Sequence, residues 1–288
     1  MSIAVREITC KSALTKTGGF LSTYTHSMQP YKGCVFGCPY CYVQALPIHR
    51  YHGGSWGQYV DVKVNIAAVL ARELARIRDK GRSLRVFMSS ATDPYQGSEA
   101  KYGITRKCLE AFIIHQPDLL VVQTRSPLVR RDLDLIRKIR NCVLSMTIET
   151  DDDSVRRSVT PGTPSIKHRL DVLKMAMEAG ITVQAAVSPM LPNNATRLAQ
   201  LLDTNCHRVV VDTYFDGDGS GGKRTEQLGI RALYDELGYA NWYHGAAHIE
   251  LLGHLSDVLG PDRIVFGKEG FNSAVEMISF PKENCDPG

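Results

Sequence analysis

The sequence has 288 residues, of which 43% are hydrophobic and 22% are charged, as is typical of a soluble globular enzyme. Its net charge of +4 permits a polyanionic partner without requiring one. No apolar segment approaches the roughly 18 residues that a membrane span needs, and the N-terminal residues lack the apolar core of a secretory signal. These properties argue against a membrane protein.

The cysteine content indicates the redox compartment. Eight cysteines in 288 residues are too few for a disulfide scaffold. We therefore expect a cytoplasmic protein whose clustered thiols bind a metal.

Six strands alternate with helices between residues 21 and 213. Short β-branched or apolar segments predict the strands, and apolar residues at helical spacing predict the helices. Gly81 and Gly180 stand where the end of a helix favours a left-handed residue. The predicted strands are 21–28, 84–90, 119–124, 143–148, 182–187 and 208–213, and the predicted helices are 63–79, 103–115, 128–139, 165–179 and 195–203.

This alternation predicts a parallel sheet covered by helices. The pattern alone fits an open doubly wound sheet or a barrel, and in both folds ligands bind at the carboxyl ends of the strands. Polar residues crowd these ends, and three closely spaced cysteines follow the first strand. We therefore expect one site that combines the cysteines with the polar strand ends.

The pattern changes after residue 213. A glycine-rich loop at 216–225 precedes predicted helices at 226–237 and 241–259. The backbone amides of such a loop can cradle a phosphate, whereas its aspartates suit a lid or a hydroxyl-binding loop. We predict a core domain at 10–213, followed at 214–288 by the glycine-rich loop and a short helical C-terminal extension.

Cys34, Cys38 and Cys41 form a C-x3-C-x2-C loop, in which Gly33 and Gly37 let the backbone approach a bound group. Structural zinc sites and fully ligated iron–sulfur cubanes take four protein ligands, so three thiolates leave one metal position open. An open position is typical of a catalytic metal site. The alternative is a zinc site that takes its fourth ligand from one of four other side chains, Cys10, His26, His49 or His52.

The cysteine loop, its closing aromatic Tyr42 and its position after the first strand of a βα series resemble the radical S-adenosylmethionine (SAM) superfamily. The resemblance implies an α/β fold, a partial (βα)6 TIM-like barrel, in which the three cysteines hold a [4Fe-4S] cluster and its unique iron binds SAM. One electron from the reduced cluster cleaves the sulfonium C–S bond and yields a 5′-deoxyadenosyl radical. This chemistry also implies an external electron donor of the flavodoxin or ferredoxin type.

Segments between residues 26 and 195 resemble the spore photoproduct lyase-like (DNA repair photolyase-like) branch, most closely in "GCVFGCPYCY" and "TDPYQ". In this branch the end of the second strand lies beside the SAM amino group, which implies a role for Thr92 with Asp93 nearby. The resemblance assigns the SAM carboxylate to Arg125, and a guanidinium can hold a carboxylate through two parallel hydrogen bonds. It assigns the SAM ribose to Ser145.

The sequence departs from the lyase at Ser90, where the lyase carries a hydrogen-donating cysteine. A serine O–H bond is too strong to donate hydrogen readily to a carbon radical. Tyr40 and Tyr42 match two tyrosines of the lyase's loop, where a phenol can relay hydrogen, and packing against the cluster explains them equally well. We predict a radical SAM enzyme and keep three hypotheses open: lyase-like activity on nucleic acid, modification of a protein, peptide or small molecule, and a non-enzymatic zinc-binding module.

Overall fold

The structure is a computed structural model that describes residues 3–278, and it contains two β-sheets. The main sheet has the strand order β11-β10-β9-β8-β7-β6-β3-β2, and a second sheet has the order β1-β5-β4. The strands are β1 (Ala4–Ile8), β2 (Leu14–Lys16), β3 (His26–Met28), β4 (Tyr31–Lys32), β5 (Tyr59–Lys63), β6 (Arg85–Met88), β7 (Leu119–Thr124), β8 (Cys142–Thr147), β9 (Thr182–Val187), β10 (Arg208–Val211) and β11 (Ile264–Phe266).

Six neighbouring strands of the main sheet, β3 and β6 to β10, are parallel, and they coincide with the six predicted strands. β2 adds an antiparallel edge beside β3. Within residues 3–278 the edge strands β2 and β11 do not pair with each other, so the barrel stays open. The predicted α/β fold with a partial barrel is confirmed.

Most predicted helices are present. The helices are α1 (Pro47–Arg50), α2 (Ile66–Asp79), α3 (Ser98–Tyr102), α4 (Ile104–Ile114), α5 (Leu133–Ile136), α6 (Asp153–Val159), α7 (Ile166–Glu178), α8 (Ala195–Asp203), α9 (Tyr214–Gly217), α10 (Lys223–Gln227), α11 (Ile230–Glu236), α12 (His248–Leu259) and α13 (Gly267–Asn272).

Three predicted helices differ from the observed elements. The predicted helix at 241–259 begins only at His248, after a 3-10 helix at Ala240–Trp242. The other two differ for local reasons. Instead of one helix at 128–139, a 3-10 helix at Pro127–Asp132 precedes α5, and the Ser126 hydroxyl caps it by accepting the Leu128 N–H. The predicted helix at 226–237 is divided into α10 and α11 at Gly229, whose φ of +77° ends the first helix.

The two faces of the main sheet pack against different layers, because successive side chains of a strand point to opposite faces. Outward side chains such as Val86, Val122 and Leu144 share one buried cluster with residues of α2, α4, α7, α8 and α12. Inward side chains pack against residues 271–277 in a second cluster, which includes Phe87, Val121, Val143, Val210, Phe271, Ala274 and Met277.

The C-terminal extension is mainly helical, as predicted, and it also completes the sheet. β11 adds a further parallel strand beside β10, and α13 lies against the inward face of the sheet. The division at residue 213 stays a prediction, and residues 279–288 of the predicted extension lie outside the described residues. In the part of the chain that is described, no helix combines the length and apolar character that a membrane crossing requires.

Candidate functional site

The cysteine loop connects β4 to a 3-10 helix at Tyr42–Ala45, and two glycines allow its tight path. Gly33 has a φ of +80°, and a Cβ there would lie 2.4 Å from the Tyr59 carbonyl oxygen. Gly37 has a φ of +56°, and a Cβ there would lie 3.2 Å from the Gly57 Cα. A larger residue at Gly33 or Gly37 would therefore displace the loop from the neighbouring segment that leads into β5 of the second sheet, β1-β5-β4.

Gln96 fixes the loop from the opposite side. It is fully buried, its Oε1 accepts the Val35 N–H at 3.0 Å, and its Nε2 donates to the Gly33 carbonyl at 3.1 Å. Sequence reasoning placed Gln96 within the motif "TDPYQ" but gave it no role. Its function depends on a contact across 63 residues, which a local pattern does not reveal.

A cavity of about 610 Å³ opens at the carboxyl ends of the parallel strands, beside the cysteine loop. All of the predicted site residues except Ser145 line it, namely Cys34, Cys38, Cys41, Tyr40, Tyr42, Thr92, Asp93 and Arg125. The prediction of a single site at this end of the barrel therefore agrees with the geometry.

Ser145 lies deeper in the barrel. It is fully buried in β8, its hydroxyl accepts a hydrogen bond from Gln184 Nε2 at 3.0 Å, and it is not among the residues that line the cavity. Thr147, two residues further along the same face of β8, does line the cavity.

Arg125 joins the cysteine loop to the barrel. Its Nη1 donates to Cys38 Sγ at 3.2 Å, to the Tyr40 hydroxyl at 3.1 Å and to Glu149 Oε1 at 3.2 Å. Glu149 is fully buried and also forms an ion pair with Arg169. Burial alone would raise the pKa of Glu149, but the Arg169 and Arg125 guanidiniums outweigh it and hold that pKa below its usual range.

Asp93 acts on the segment that carries Arg125. Its carboxylate accepts the Thr124 hydroxyl, the Arg125 N–H and the Tyr95 N–H, each at 2.8 Å. Burial nevertheless raises the pKa of Asp93. With both carboxylate oxygens bonded within the protein, Asp93 positions Arg125.

Gln29 organises the strand end that contains Thr92. Its Nε2 donates to the Ser90 hydroxyl at 2.9 Å, and its Oε1 accepts from the Thr92 N–H and hydroxyl at 3.3 Å. The Thr92 hydroxyl also lies 3.3 Å from the Tyr31 carbonyl. Gln29 opens the segment that resembles the lyase-like branch, but sequence reasoning gave it no role, because its contacts join it to residues about 60 positions away.

The two loop tyrosines have different surroundings. The Tyr42 hydroxyl donates to the Ser90 carbonyl at 2.6 Å, so this phenol lies beside the strand end that carries Ser90. The Tyr40 hydroxyl accepts from Arg125, and its ring centroid lies 5.5 Å from that of Tyr214. Burial raises the pKa of both phenols, so both are neutral near pH 7.

The donor set of the loop fits a polynuclear cluster better than a single ion. Burial and neighbouring negative charges raise the pKa of Cys34 to about 12, and burial also raises the pKa values of Cys38 and Cys41. Within residues 3–278, no three His, Cys, Asp or Glu side chains converge closely enough to hold one metal ion. A single zinc ion needs four converging donors, whereas a [4Fe-4S] cluster binds each thiolate to a different iron and so spaces the sulfurs more widely.

The four other zinc-ligand candidates have different roles. The His52 imidazole pairs with Asp61 and stacks on Tyr59. The His49 ring contacts Trp56 and Tyr59, and the His26 ring bonds to the Thr25 hydroxyl. None of the four, Cys10 included, lines the cavity beside the cysteine loop. The zinc hypothesis therefore gains no support from the described residues.

The glycine-rich loop does not offer the expected cradle of free amides. The Asp218 carboxylate accepts the N–H groups of Ser220, Gly222, Arg224 and Thr225 at 2.7 to 3.2 Å. Asp218, Gly219, Arg224 and Thr225 of the loop region line the cavity, and α10 contacts the 3-10 helix that follows the cysteines. This arrangement agrees with a lid and argues against a phosphate-binding loop.

A family model described as the radical SAM superfamily matches residues 28–204. An uncharacterized protein of Methanocaldococcus jannaschii is 32% identical over 163 residues, which cover 57% of this chain and 59% of the relative. An uncharacterized protein of Mycobacterium tuberculosis is 32% identical over 211 residues, which cover 69% of this chain and 61% of the relative. The chain thus spans about three fifths of the length of these curated relatives.

Solved structures provide a second comparison. Spore photoproduct lyase complexed with dinucleoside spore photoproduct superposes with a TM-score of 0.65 at 16% identity, over 91% of this chain and 82% of that chain. A variant of that lyase with bound AdoMet and the same dinucleoside gives a TM-score of 0.59 at 18% identity, over 81% of this chain and 66% of that chain. At these identities the likeness establishes the fold.

Proposed function

This chain belongs to the radical SAM superfamily, whose members are enzymes, and from this premise we propose that it cleaves SAM reductively in the cavity beside Cys34, Cys38 and Cys41. The observation that carries the proposal is the placement of the three thiols. They lie on one glycine-dependent loop, next to a cavity large enough for a nucleotide-sized ligand, with Arg125 bonded to Cys38. We propose that these thiols hold a [4Fe-4S] cluster, which supplies the electron for SAM cleavage when it is bound.

Arg125 binds the SAM carboxylate in this proposal. All of its side-chain hydrogen bonds within the described residues use Nη1, so the other guanidinium N–H groups remain for a ligand in the cavity. Glu149 and the Tyr40 hydroxyl fix the guanidinium, and Asp93 fixes its backbone. The charge of Arg125 also favours the thiolate form of Cys38, which is the form that binds iron.

Thr92 and the polar residues of β8 orient the rest of SAM. The Thr92 hydroxyl, held by Gln29 and Tyr31, faces the SAM amino group. We retain Ser145 as the candidate for the ribose and add Thr147, because Thr147 is the residue of that strand face that reaches the cavity. Tyr42 and Tyr40 remain the candidates for moving a hydrogen between the protein and a substrate.

The substrate that we propose is a nucleic acid or one of its components, with a lyase-like reaction. The lyase-like motifs and the fold support this, and the net charge of +4 permits it. Modification of a protein, peptide or small molecule is the second candidate, because Ser90 stands in place of the lyase's cysteine. We further propose a cytoplasmic location and an external electron donor of the flavodoxin or ferredoxin type.

Anaerobic reconstitution with iron and sulfide, followed by SAM and dithionite, tests the proposal. We expect the wild-type chain to bind iron and sulfide and to form 5′-deoxyadenosine. The triple variant Cys34→Ala, Cys38→Ala, Cys41→Ala should lose the brown colour and the product, whereas Cys10→Ala should keep both. Continued SAM cleavage by the triple variant, or zinc in place of iron, would overturn the assignment.

A further inference from the structure

Three buried polar atoms that belong to cavity-lining residues have no hydrogen-bond partner in the described residues. They are the Ser89 hydroxyl oxygen, Gln123 Oε1 and Trp56 Nε1, and the first two belong to neighbouring strands of the main sheet. An unpaired buried polar group has lost its hydrogen bonds to water without replacement, so such groups are rare in folded proteins and call for an explanation. In a ligand cavity the simplest explanation is a ligand that supplies the missing bonds.

Ser89 is also strained. It is 7% exposed, and its φ of +75° makes it the non-glycine residue with positive φ in the described chain. Its N–H donates to the Met28 carbonyl at 2.8 Å, which continues the ladder between β3 and β6 and holds the residue in place. Backbone strain of this kind concentrates at functional sites.

The two side chains lie next to each other on the inward face. Met88 of β6 pairs in register with Val122 of β7, so Ser89 follows opposite Gln123. Gln123 Nε2 donates to the Thr147 hydroxyl at 2.9 Å, which fixes the amide and leaves Oε1 as a free acceptor. The strand pair thus presents one hydroxyl donor beside one carbonyl acceptor.

An aromatic wall adjoins this polar pair. Phe20, Phe87 and Phe271 line the same cavity, with ring centroids 5.7 Å apart for Phe20 and Phe271 and 6.4 Å apart for Phe87 and Phe271. Aromatic faces favour a flat ring, and the donor–acceptor pair requires complementary groups at the edge of that ring.

We propose that Ser89 and Gln123 form a substrate subsite that recognises the lactam edge of a planar heterocycle, as in a nucleobase. The Ser89 hydroxyl donates to the ring carbonyl oxygen, Gln123 Oε1 accepts from the adjacent ring N–H, and the phenylalanine wall contacts the ring. The inference rests on the proposed function for its substrate class and goes beyond it by naming the residues that read the base.

Binding of uridine to the reconstituted protein, without reductant, tests the subsite by calorimetry or saturation-transfer NMR. We expect Ser89→Gly and Gln123→Leu each to weaken uridine binding roughly 5- to 10-fold, the effect of one lost hydrogen bond. N3-methyluridine, which lacks the ring N–H, should bind wild-type protein more weakly and lose nothing further in Gln123→Leu. The exposed Gln116→Leu is the matched control and should bind uridine like the wild type.

Thermal unfolding separates lost recognition from lost structure. Ser89→Gly should keep or raise the melting temperature, because glycine accepts a φ of +75° without strain. Oligo(dU) in a parallel titration shows whether the ring comes from a free nucleoside or from a strand, and its binding should depend on the same two residues. Uridine and oligo(dU) binding that is absent, or equal in wild type and both variants, overturns the subsite. 5′-Deoxyadenosine formation by the same wild-type preparation reports independently on the proposed function.

Discussion

Asp212 shows how the tertiary environment changes the chemistry of one residue. It follows β10, lines the cavity, and its carboxylate accepts from the Ser188 hydroxyl at 3.3 Å and the Thr213 N–H at 3.0 Å. An ideal Cβ on Gly217 would lie 2.0 Å from Asp212 Oδ2, so only glycine lets α9 pack over the carboxylate. Burial raises the pKa of Asp212 to about 7, and the charges of Asp216 and Asp218 act in the same direction.

The raised pKa predicts a pH-dependent cost of folding. The folded protein holds the Asp212 proton more tightly than the unfolded chain, so stability is lost as pH rises from about 4 to about 7. Between pH 5 and pH 8 the cluster-free wild type should therefore lose on the order of 2–4 kcal/mol in its free energy of unfolding through this group. Asp212→Asn removes the ionisation, so the variant should lack this loss. Denaturant titrations at the two pH values measure the difference.

Exposed Asp257 on α12 provides the control for that experiment. Asp257→Asn should leave the difference between pH 5 and pH 8 as it is in the wild type. If Asp212→Asn also left it unchanged, the carboxylate would be ionised without penalty in the folded protein.

Ser89 and Gln123 also owe their chemical environment to the folded structure. Ser89 opens the matched segment "SSATDPYQGSE" and Gln123 lies in a predicted strand, but the sequence pattern gives neither residue a role. Their importance comes from unpaired atoms and from one unusual φ, which are properties of the folded chain.

At the scale of elements, the cysteine loop depends on the small sheet beneath it. Gly33 needs both a positive φ and the space next to Tyr59 in β5, whereas Gly81 after α2 needs only the positive φ, since no atom lies within 4 Å of its ideal Cβ. This difference separates backbone strain from steric displacement of the loop.

The pair Gly33→Ala and Gly81→Ala therefore tests the role of the loop's path. Gly81→Ala should cost about 1 kcal/mol of stability and keep its full iron content after reconstitution. Gly33→Ala should destabilise the protein further and lose most of its iron, because the Cβ displaces Cys34 from the barrel. Iron and sulfide analysis with thermal unfolding measures both effects, and normal iron content in Gly33→Ala would count against a cluster on this loop.

The C-terminal extension is attached to the core by contacts that its sequence does not indicate. Its helices are visible in the sequence, but β11 and α13 pair with and pack on the core through β10 and the inward face of the barrel. Tyr24, just before β3, donates to the Phe271 carbonyl, and the Thr23 N–H donates to Asn272 Oδ1, so the start of the barrel is joined to α13.

At the scale of the whole molecule, net charge bears on the substrate. The chain has 34 basic and 30 acidic residues, so any affinity for nucleic acid comes from a local arrangement of charge and from the cavity. Each phosphate contact releases counterions, which makes binding salt-dependent.

We therefore expect weak, salt-sensitive binding of single-stranded oligonucleotides. The affinity should fall as salt rises from about 50 to about 200 mM, with a slope that corresponds to a few phosphate contacts. Fluorescence anisotropy measures it, with dextran sulfate as the competing polyanion. Binding that vanishes with dextran sulfate at all salt concentrations, or that is absent, would favour a protein, peptide or small-molecule substrate.

The sequence by itself determined the six parallel strands and the three-cysteine loop, because both are written in local patterns: apolar periodicity and the spacing of thiols. The resemblance of the motifs also identified Thr92, Arg125 and the loop tyrosines, which the fold brings to one cavity. Only the tertiary structure revealed the hydrogen bonds by which Gln96 holds the cysteine loop and those that join Arg125 to Glu149 and Cys38. It alone also showed that Ser145 is buried in the barrel and that β11 of the extension pairs with β10. These features join residues that are far apart in the chain, and register and burial, which decide such contacts, arise only when the strands are assembled.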